Sequence, residues 1–368
     1  MTSLVFAACD PEGADLSSHR RGIHAGITGD ASQWLDVFLA TAATGGTMLT
    51  IANTLLPVFA LVALGMVIER MRIMPDGTAA ILNQFVFNIG MPALIFIAIA
   101  TKQPAELARI GYIGGTVAGM FASFVLVYGL FSGGFRRRHG ESGMLSLLAS
   151  FPNTAFLGLP VLVALFPGNE DAVLASSIST ILGLPLLMLV IGQQEYRRSA
   201  DGTEQQGLAR KLARSLATNP ILLSTVAGVA VCLGRVPLPA SIEGMFRMLG
   251  GTASPCALFA IGMVLANQLV SRKGDGAGLL RQIPVNAVKL LGQPVVTFLC
   301  LKALGVDGAW LAMGVILSGM PTGTIAYVLA ENYGTCTGET SRAILANTAA
   351  SMLTIPLTIA ALQHMHLL

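Results

Sequence analysis

The sequence predicts an all-α integral membrane protein in which ten membrane-spanning helices form two inverted halves of five. The first observation is composition: of 368 residues, 54% are hydrophobic and only 11% are charged, whereas soluble domains carry roughly 25% charged residues. A soluble fold of this length could not bury so much apolar surface, because its outer surface must face water. The second observation is a pair of prolines, Pro152 and Pro321, near the middles of two apolar stretches. Interior proline breaks or kinks a membrane helix.

Apolar segments of about 20 residues, the length that crosses the hydrocarbon core, occur ten times along the chain. These predicted spans lie at residues 48–68, 79–100, 110–131, 144–165, 172–192, 218–234, 243–266, 283–303, 309–330 and 341–363. We therefore divide the chain into a first five-helix repeat (47–192), a central loop (193–217) and a second five-helix repeat (218–368). Residues 1–46 are polar and glycine-rich, with too short an apolar run for a signal peptide. We expect a disordered extension there, with translation from Met48 as an alternative.

Lysine and arginine are distributed unevenly between the two sides of the predicted bundle. The loops that follow spans 1, 3, 5, 7 and 9, with the span ends next to them, carry 14 of these residues, and the opposite side carries 7. Because loops rich in lysine and arginine stay in the cytoplasm, we expect the central loop to be cytoplasmic and both termini to lie outside.

The reactive side chains argue against catalysis and against a bound metal or cofactor. The five cysteines and five histidines show no spacing typical of a metal site or a disulfide framework. No Asp or Glu lies at mid-depth in a predicted span, whereas proton pumps and sodium sites use buried carboxylates. An intramembrane enzyme would need a base or a metal ligand at that depth, so we expect no enzyme. Basic residues cluster only at 136–138, which does not form the stripe that nucleic-acid binding needs.

Four prolines of the first half have counterparts in the second half, in the same order. The pairs are Pro57 and Pro220, Pro92 and Pro255, Pro152 and Pro321, and Pro185 and Pro356, at offsets of 163, 163, 169 and 171 residues. A repeat with an odd number of spans must be inverted in the membrane. The broken spans 4 and 9 are then expected to cross near the midplane.

The second half-helix of each broken span begins just after its break, at Asn153 and at Thr322. Helix amino ends carry unpaired N–H groups and about +0.5 of a charge each, so two converging ends predict an anion site. Asn153 can cap its helix or donate its amide to a carboxylate, while the threonine hydroxyls can bind substrate or bond back to carbonyl groups. The candidate substrate-binding residues at the breaks are Pro152, Asn153, Thr154, Pro160, Pro321, Thr322, Gly323 and Thr324.

Lys289 joins the candidate set, as the one basic residue more than five positions from either end of a predicted span. It lies about six residues past the cytoplasmic end of span 8, which is about 9 Å by helical rise. Two roles are open for it. The side chain can snorkel to the membrane interface, or it can provide a counter-charge for the anion.

Two motifs resemble those of the auxin efflux carrier family. Residues 153–162 (NTAFLGLPVL) closely resemble the fourth-span motif of that family, and residues 320–323 (MPTG) with 328–334 (VLAENYG) resemble its ninth-span motif. The resemblance covers about residues 48–363. It implies a ten-span fold of the bile-acid-symporter type, in which a scaffold domain and a transport domain work as an elevator-like pair.

The resemblance also implies a carboxylate substrate, which is auxin in plants and malate or malonate in bacterial relatives. The plant carriers have a long central loop and an Asn-Pro-Asn run at the start of span 6. Here the loop has about 25 residues and the run reads Asn219-Pro220-Ile221, so the resemblance implies Asn219 as a further substrate-binding residue. The chain is therefore similar to the compact bacterial type, which implies the bacterial inner membrane and argues against auxin itself. A homodimer is implied by the resemblance alone.

The sequence thus predicts a secondary transporter that moves a small organic carboxylate anion across the plasma membrane by alternating access. Its partners are the substrate and the lipid bilayer, with no nucleic acid and no cofactor. An anion channel or facilitator that uses the same midplane site is the alternative prediction.

Overall fold

The structure of the protein is a computed structural model, which describes residues 45–134, 139–200, 218–270 and 282–368. Every regular element in these ranges is a helix, and the sole β feature among them is an isolated bridge. The all-α prediction is confirmed for this part of the chain. The predicted extension at 1–46 lies almost wholly outside the described residues, and the central loop at 193–217 lies largely outside them.

The helices follow the order of the predicted spans, but several spans are built from two pieces. Their bounds are α1 Gly45–Arg70, α2 Thr78–Ala100, α3 Ile110–Gly134, α4 His139–Ser150, α5 Thr154–Leu165, α6 Glu170–Ala200, α7 Pro220–Gly234, α8 Ala240–Gly251, α9 Ala253–Val270, α10 Ile283–Ala303, α11 Gly308–Ser318, α12 Ile325–Tyr333 and α13 Thr337–His364. A short helical turn, Pro104–Leu107, precedes α3.

Six helical segments of the described chain are long and apolar enough to cross a membrane, by length and composition: α2, α3, α6, α8 with α9, α10 and α13. The shorter apolar helices α5, α7 and α11 fall below that length. The chain leaves helical geometry at residues 151–153 and again at 319–324. Length and composition therefore recover six of the ten predicted spans in the described chain. Of the other four, spans 4 and 9 are each divided into half-helices at the proline-containing breaks, span 6 corresponds to the short helix α7, and span 1 (α1) is not among the six.

Proline residues explain most of the irregular turns within the helices. Pro92, Pro160 and Pro294 each follow a wide π-turn by one or two residues. Proline has no N–H to donate, and its ring collides with the carbonyl four residues earlier, so a π-turn relieves the collision by widening the helix. These turns are Val86–Gly90 in α2, Thr154–Gly158 in α5 and Val288–Gly292 in α10.

Glycine lets pairs of helices approach closely. A Cβ atom on Gly262 of α9 would lie 2.9 Å from the carbonyl carbon of Val62 and 3.0 Å from the amide nitrogen of Met66 in α1. In α3, a Cβ atom on Gly115 would lie 3.0 Å from the Cα atom of Leu301 in α10. Gly115 therefore serves the packing of α3 against α10. Small residues serve such contacts in membranes, where backbone proximity replaces hydrophobic driving force.

The two half-helices that precede the breaks lie at the centre of the protein. Residues 311–318 of α11 are all buried, and so are residues 144–150 of α4. A helix that is apolar on every side is stable only when neighbours surround it. By contrast, large apolar side chains such as Leu64 (49% exposed), Val125 (64%) and Val226 (59%) face outward, as expected for helices that contact lipid. The breaks therefore lie deep inside the bundle.

Replacing Gly262 with alanine should lower the melting temperature of the detergent-purified protein. The new methyl group would press on the backbone of α1, and overpacking typically costs about 1–3 kcal/mol. Gly244→Ala is the matched control, because a Cβ atom there meets nothing within 4 Å, and both changes gain the same helix propensity. Equal melting temperatures for the two variants would contradict the assigned α1–α9 contact.

Candidate functional site

The two helix breaks pair with each other through their backbones. Pro152 and Thr322 form an antiparallel bridge. The Asn153 amide donates to the Pro321 carbonyl at 2.7 Å, and the Gly323 amide donates to the Phe151 carbonyl at 3.0 Å. Backbone groups released by a broken membrane helix need partners inside the protein, and here each break supplies them to the other. We call the paired segments, 151–153 and 319–324, the crossing.

Helix α6 holds the first break in place. The Ser176 hydroxyl donates to the Thr154 carbonyl at 2.9 Å, and the Thr154 and Thr180 hydroxyls are 2.8 Å apart. Thr154 is almost fully buried. Its hydroxyl is therefore paired within the protein, with a hydroxyl of α6 and not with a backbone carbonyl as the structural alternative had it.

Helix α13 holds the second break through Asn347. Its side-chain oxygen accepts a hydrogen bond from the Thr322 amide at 3.3 Å, and its side-chain nitrogen donates to the Thr322 hydroxyl at 2.7 Å. The Thr322 hydroxyl in turn donates to the Leu148 carbonyl at 2.5 Å. Sequence reasoning missed Asn347, Ser176 and Thr180. The signal in the sequence was a polar residue within a long apolar span.

A cavity of about 130 Å³, which we call cavity A, borders the crossing. Its wall includes the first break, the amino end of α7, the start of α12 and aromatic side chains of α2 and α5. The polar residues that line it are Asn153, Thr154, Thr180, Asn219 and Thr324. Four predicted site residues are thereby brought together with Pro152 and Gly323, which also line this cavity.

Three residues that line cavity A have backbone amides without a hydrogen-bond acceptor in the described part of the chain. Among the described residues, the N–H groups of Ala155, Thr324 and Ile325 have no hydrogen-bond acceptor, and Thr324 caps α12 without a side-chain bond. All three residues line cavity A. They belong to the amino ends of α5 and α12, where unpaired donors and the positive ends of the helix dipoles coincide.

Two asparagine side chains at cavity A act as helix caps. Asn153 Oδ1 accepts from the Phe156 amide at 3.2 Å, and Asn219 Oδ1 accepts from the Ile221 amide at 2.9 Å. Within the described chain, no acceptor is bonded to the side-chain nitrogen of Asn153. The cap thus uses the oxygen of Asn153 and leaves its N–H donors available, so the two roles predicted for this residue are compatible.

A second cavity, cavity B, has a volume of about 180 Å³ and borders the same crossing. Pro321 and Thr322 line it, together with Asn83 of α2 and residues of α9 and α13. Asn153, Phe156 and Thr324 line both cavities. The described residues that line either cavity include no Lys, Arg, Asp or Glu.

Two predicted site residues lie away from both cavities. Pro160 is buried in the first turn of the α-helical part of α5, where it shapes the π-turn before it. Lys289 is fully buried in α10, and its ammonium donates to the Gln293 side-chain oxygen at 2.5 Å and to the Ser318 carbonyl at 2.7 Å. Of the two roles left open for Lys289, snorkelling does not fit this structure, because acceptors inside the protein hold its ammonium.

The described residues contain no group of three or more His, Cys, Asp or Glu side chains that could hold a metal ion. The chemistry available at the crossing is therefore hydrogen-bond donation by amides and hydroxyls, within walls that are otherwise apolar.

Comparisons with known proteins place this chain among transporters. A family model described as membrane transport protein matches residues 50–359. The chain is 29% identical over 317 residues to a putative malonate transporter of Rhizobium meliloti (strain 1021), which covers 84% of this chain and 94% of that protein. It is 24% identical over 315 residues to the uncharacterized transporter YfdV of Escherichia coli (strain K12), covering 83% and 95%. A probable auxin efflux carrier component 5b of Oryza sativa subsp. japonica is 27% identical over 242 residues, covering 56% and 64%.

Replacing Asn347 with leucine should loosen the second break. Two hydrogen bonds to buried Thr322 would be lost, at a cost of about 1–3 kcal/mol for the groups left unpaired. Hydrogen–deuterium exchange of peptides that contain residues 319–325 should accelerate. Asn88→Leu is the control, because Asn88 is exposed and bonds only to the Gln84 carbonyl of its own helix. Unchanged exchange in the Asn347 variant would refute its assigned role.

Proposed function

Since this chain belongs to the membrane transport protein family, which includes the auxin efflux carriers, we propose that it is a secondary transporter for a small organic carboxylate anion. The substrate binds in cavity A at the crossing, and alternating access carries it across the membrane. That the protein is a membrane transporter follows from the family. We propose its substrate class, its binding site and its mechanism.

The observation that carries the proposal is the set of unpaired amides at cavity A. Ala155, Thr324 and Ile325 present three N–H groups from two helix amino ends. Hydrogen bonds to a charged group contribute roughly 1.5–3 kcal/mol each, about twice the value for neutral pairs. A carboxylate is thus favoured over a neutral ligand, although no lysine or arginine of the described residues lines the cavity.

The size of cavity A and the relatives of the protein favour a short carboxylate, and malonate is the first candidate. Pockets for drug-sized ligands run to roughly 300–1,000 Å³, whereas cavity A measures about 130 Å³. A relative that covers most of this chain is named as a putative malonate transporter. The aromatic side chains of Phe87 and Phe156, stacked with ring centres 6.2 Å apart, both line the cavity.

We include in the proposal a ten-span architecture with an inverted repeat. The glycine contacts support it: a Cβ atom on Gly65 would meet the Phe259 carbonyl, and one on Gly228 would meet the Phe96 carbonyl. Positions 65 and 228, like positions 96 and 259, are 163 residues apart, which is the offset of the first two proline pairs. The same contact thus occurs once between α1 and α9 and once between α7 and α2.

Alternating access is supported by the residues that the two cavities share. Asn153 and Thr324 line both, so a ligand held by them could exchange with either cavity. In this proposal α1, α2, α7, α8 and α9 form the scaffold, and the remaining helices form the transport domain. The lysine and arginine bias supports a cytoplasmic central loop and termini outside the bacterial inner membrane, and the family resemblance implies a homodimer.

Replacing Asn153 with aspartate should abolish most transport while leaving the fold intact. Aspartate keeps an oxygen for the helix cap, but it loses the amide donors and adds a negative charge that repels the anion. We expect uptake of labelled malonate into proteoliposomes to fall at least about tenfold, since one hydrogen bond to a carboxylate is worth roughly 1.5–3 kcal/mol and 1.4 kcal/mol corresponds to tenfold. Asn88→Asp, at an exposed position, is the control.

The same assay tests the substrate class and separates carrier from channel. Malonate, malate and indole-acetate should be compared with malonamide, which lacks the charges and should not compete. Saturable uptake that rises when unlabelled malonate is present on the opposite side indicates a carrier, and flux that does not saturate indicates an anion channel. Equal affinity for malonate and malonamide, or full activity of the Asn153 variant, would contradict the proposed site.

A further inference from the structure

The carboxyl ends of two half-helices meet one buried cation. Helices α4 and α11 end at Ser150 and Ser318, where the crossing begins. Helix carboxyl ends carry about −0.5 of a charge each and several unpaired carbonyl groups. The Lys289 ammonium, with its side chain fully buried, donates to the Ser318 carbonyl at 2.7 Å.

Gln293 extends this contact to the other half-helix. Its side-chain oxygen accepts from the Lys289 ammonium at 2.5 Å, and its side-chain nitrogen donates to the Ser150 carbonyl at 2.9 Å. Gln293 is also fully buried. One ammonium and one amide therefore connect the last residues of α4 and α11, which belong to different halves of the chain.

Local sequence brings α10 into position for this contact. Lys289 and Gln293 are four residues apart and project from the same side of the helix, across the π-turn that precedes Pro294. A Cβ atom on Gly319 would lie 3.3 Å from Cγ of Pro294, so the second break passes directly over α10. The absence of a side chain at Gly319 permits that approach.

The partners of Lys289 are unusual for a buried cation. Its hydrogen bonds in the described chain go to an amide oxygen and a backbone carbonyl, and not to a carboxylate. Burial of a charge is costly unless it is compensated. The compensation available here is the negative ends of α4 and α11, and those ends gain from the cation in return.

We propose that Lys289 is a positioning residue that serves as the tethered cation of the crossing. In other transporters with discontinuous helices, half-helix carboxyl ends coordinate the coupling ion; here a side chain takes that place. With their carboxyl ends neutralised, α4 and α11 stay together, and the amino ends of α5 and α12 stay oriented toward cavity A. The inference goes beyond the proposed function, because it concerns charge balance at the crossing and not the substrate.

Chemical rescue tests this role. Lys289→Ala removes the ammonium and leaves a space, so the melting temperature of the purified full-length protein should fall, by roughly 5 °C if the lost bonds are of the charge-assisted kind. Methylammonium should restore much of that loss. Tetramethylammonium has the same charge but no N–H donor and should not restore it. A lysine that served only to fill space would show no preference between the two ions.

Two further variants serve as controls. Lys302→Ala also removes a lysine, but Lys302 is partly exposed and pairs with Asp307 near the surface, so neither its melting temperature nor its response to methylammonium should change appreciably. Lys289→Met fills the space with an uncharged chain, so its melting temperature should fall without rescue by methylammonium.

Transport by the same proteins provides a second readout. Malonate uptake by Lys289→Ala should fall about tenfold or more and recover in part with methylammonium. The melting-temperature arm needs no substrate, so it remains decisive if malonate is not transported at all. In that case the proposed function fails while the role of Lys289 can still be supported.

Several results would overturn the proposal. They are a wild-type melting temperature for Lys289→Met, equal effects of methylammonium and tetramethylammonium on Lys289→Ala, or no effect of either. If Lys289→Ala cannot be purified even in methylammonium, Gln293→Met decides. That variant keeps the bond to Ser318 and loses the bond to Ser150, so we expect a melting temperature below that of the wild type, and an unchanged value would refute the shared-cation arrangement.

Discussion

The requirement that every backbone polar group in a membrane interior find a partner governs the centre of this protein. Two prolines interrupt two apolar helices, and the interruptions satisfy each other through the Asn153–Pro321 and Gly323–Phe151 hydrogen bonds. Because each break needs the other, the two halves of the chain must meet at this point. The surrounding helices are arranged around that contact. Helices α6 and α13 form hydrogen bonds with the breaks, and α4 and α11 are deeply buried.

The crossing also places the negative carboxyl ends and the positive amino ends of its half-helices against different surroundings. The carboxyl ends of α4 and α11 converge on Lys289 and Gln293, while the amino ends of α5 and α12 border cavity A with unpaired amides. The carboxyl ends are thereby neutralised inside the protein, and the amino ends retain hydrogen-bond donors for a ligand. This arrangement supports anion binding without a cationic side chain in the cavity wall, and it agrees with the membership of the chain in a family of membrane transport proteins.

Sequence reasoning succeeded where one chemical property dominates. Composition identified an all-α membrane protein, proline positions identified both interruptions, and the motif around Asn153 identified the family. It left the role of Lys289 open, because helical rise from the predicted span end indicated only depth. The acceptors that hold the ammonium are Gln293, one turn away, and Ser318, which is 29 residues away. It also missed Asn347, since one polar residue in an apolar span does not show which backbone group it faces.

The sequence by itself determined the class of the protein, the location of its two helix breaks and the polarity that their amino ends offer to a ligand. These properties are local, because they depend on hydropathy, on the missing N–H of proline and on the direction of the helix dipole. Only the tertiary structure decided which groups remain free. The Thr154 and Thr322 hydroxyls are consumed by α6, α13 and α4, whereas the amides of Ala155, Thr324 and Ile325 are left without acceptors at cavity A. Whether a polar group is available depends on what packs against it, and that is decided by residues distant in the chain.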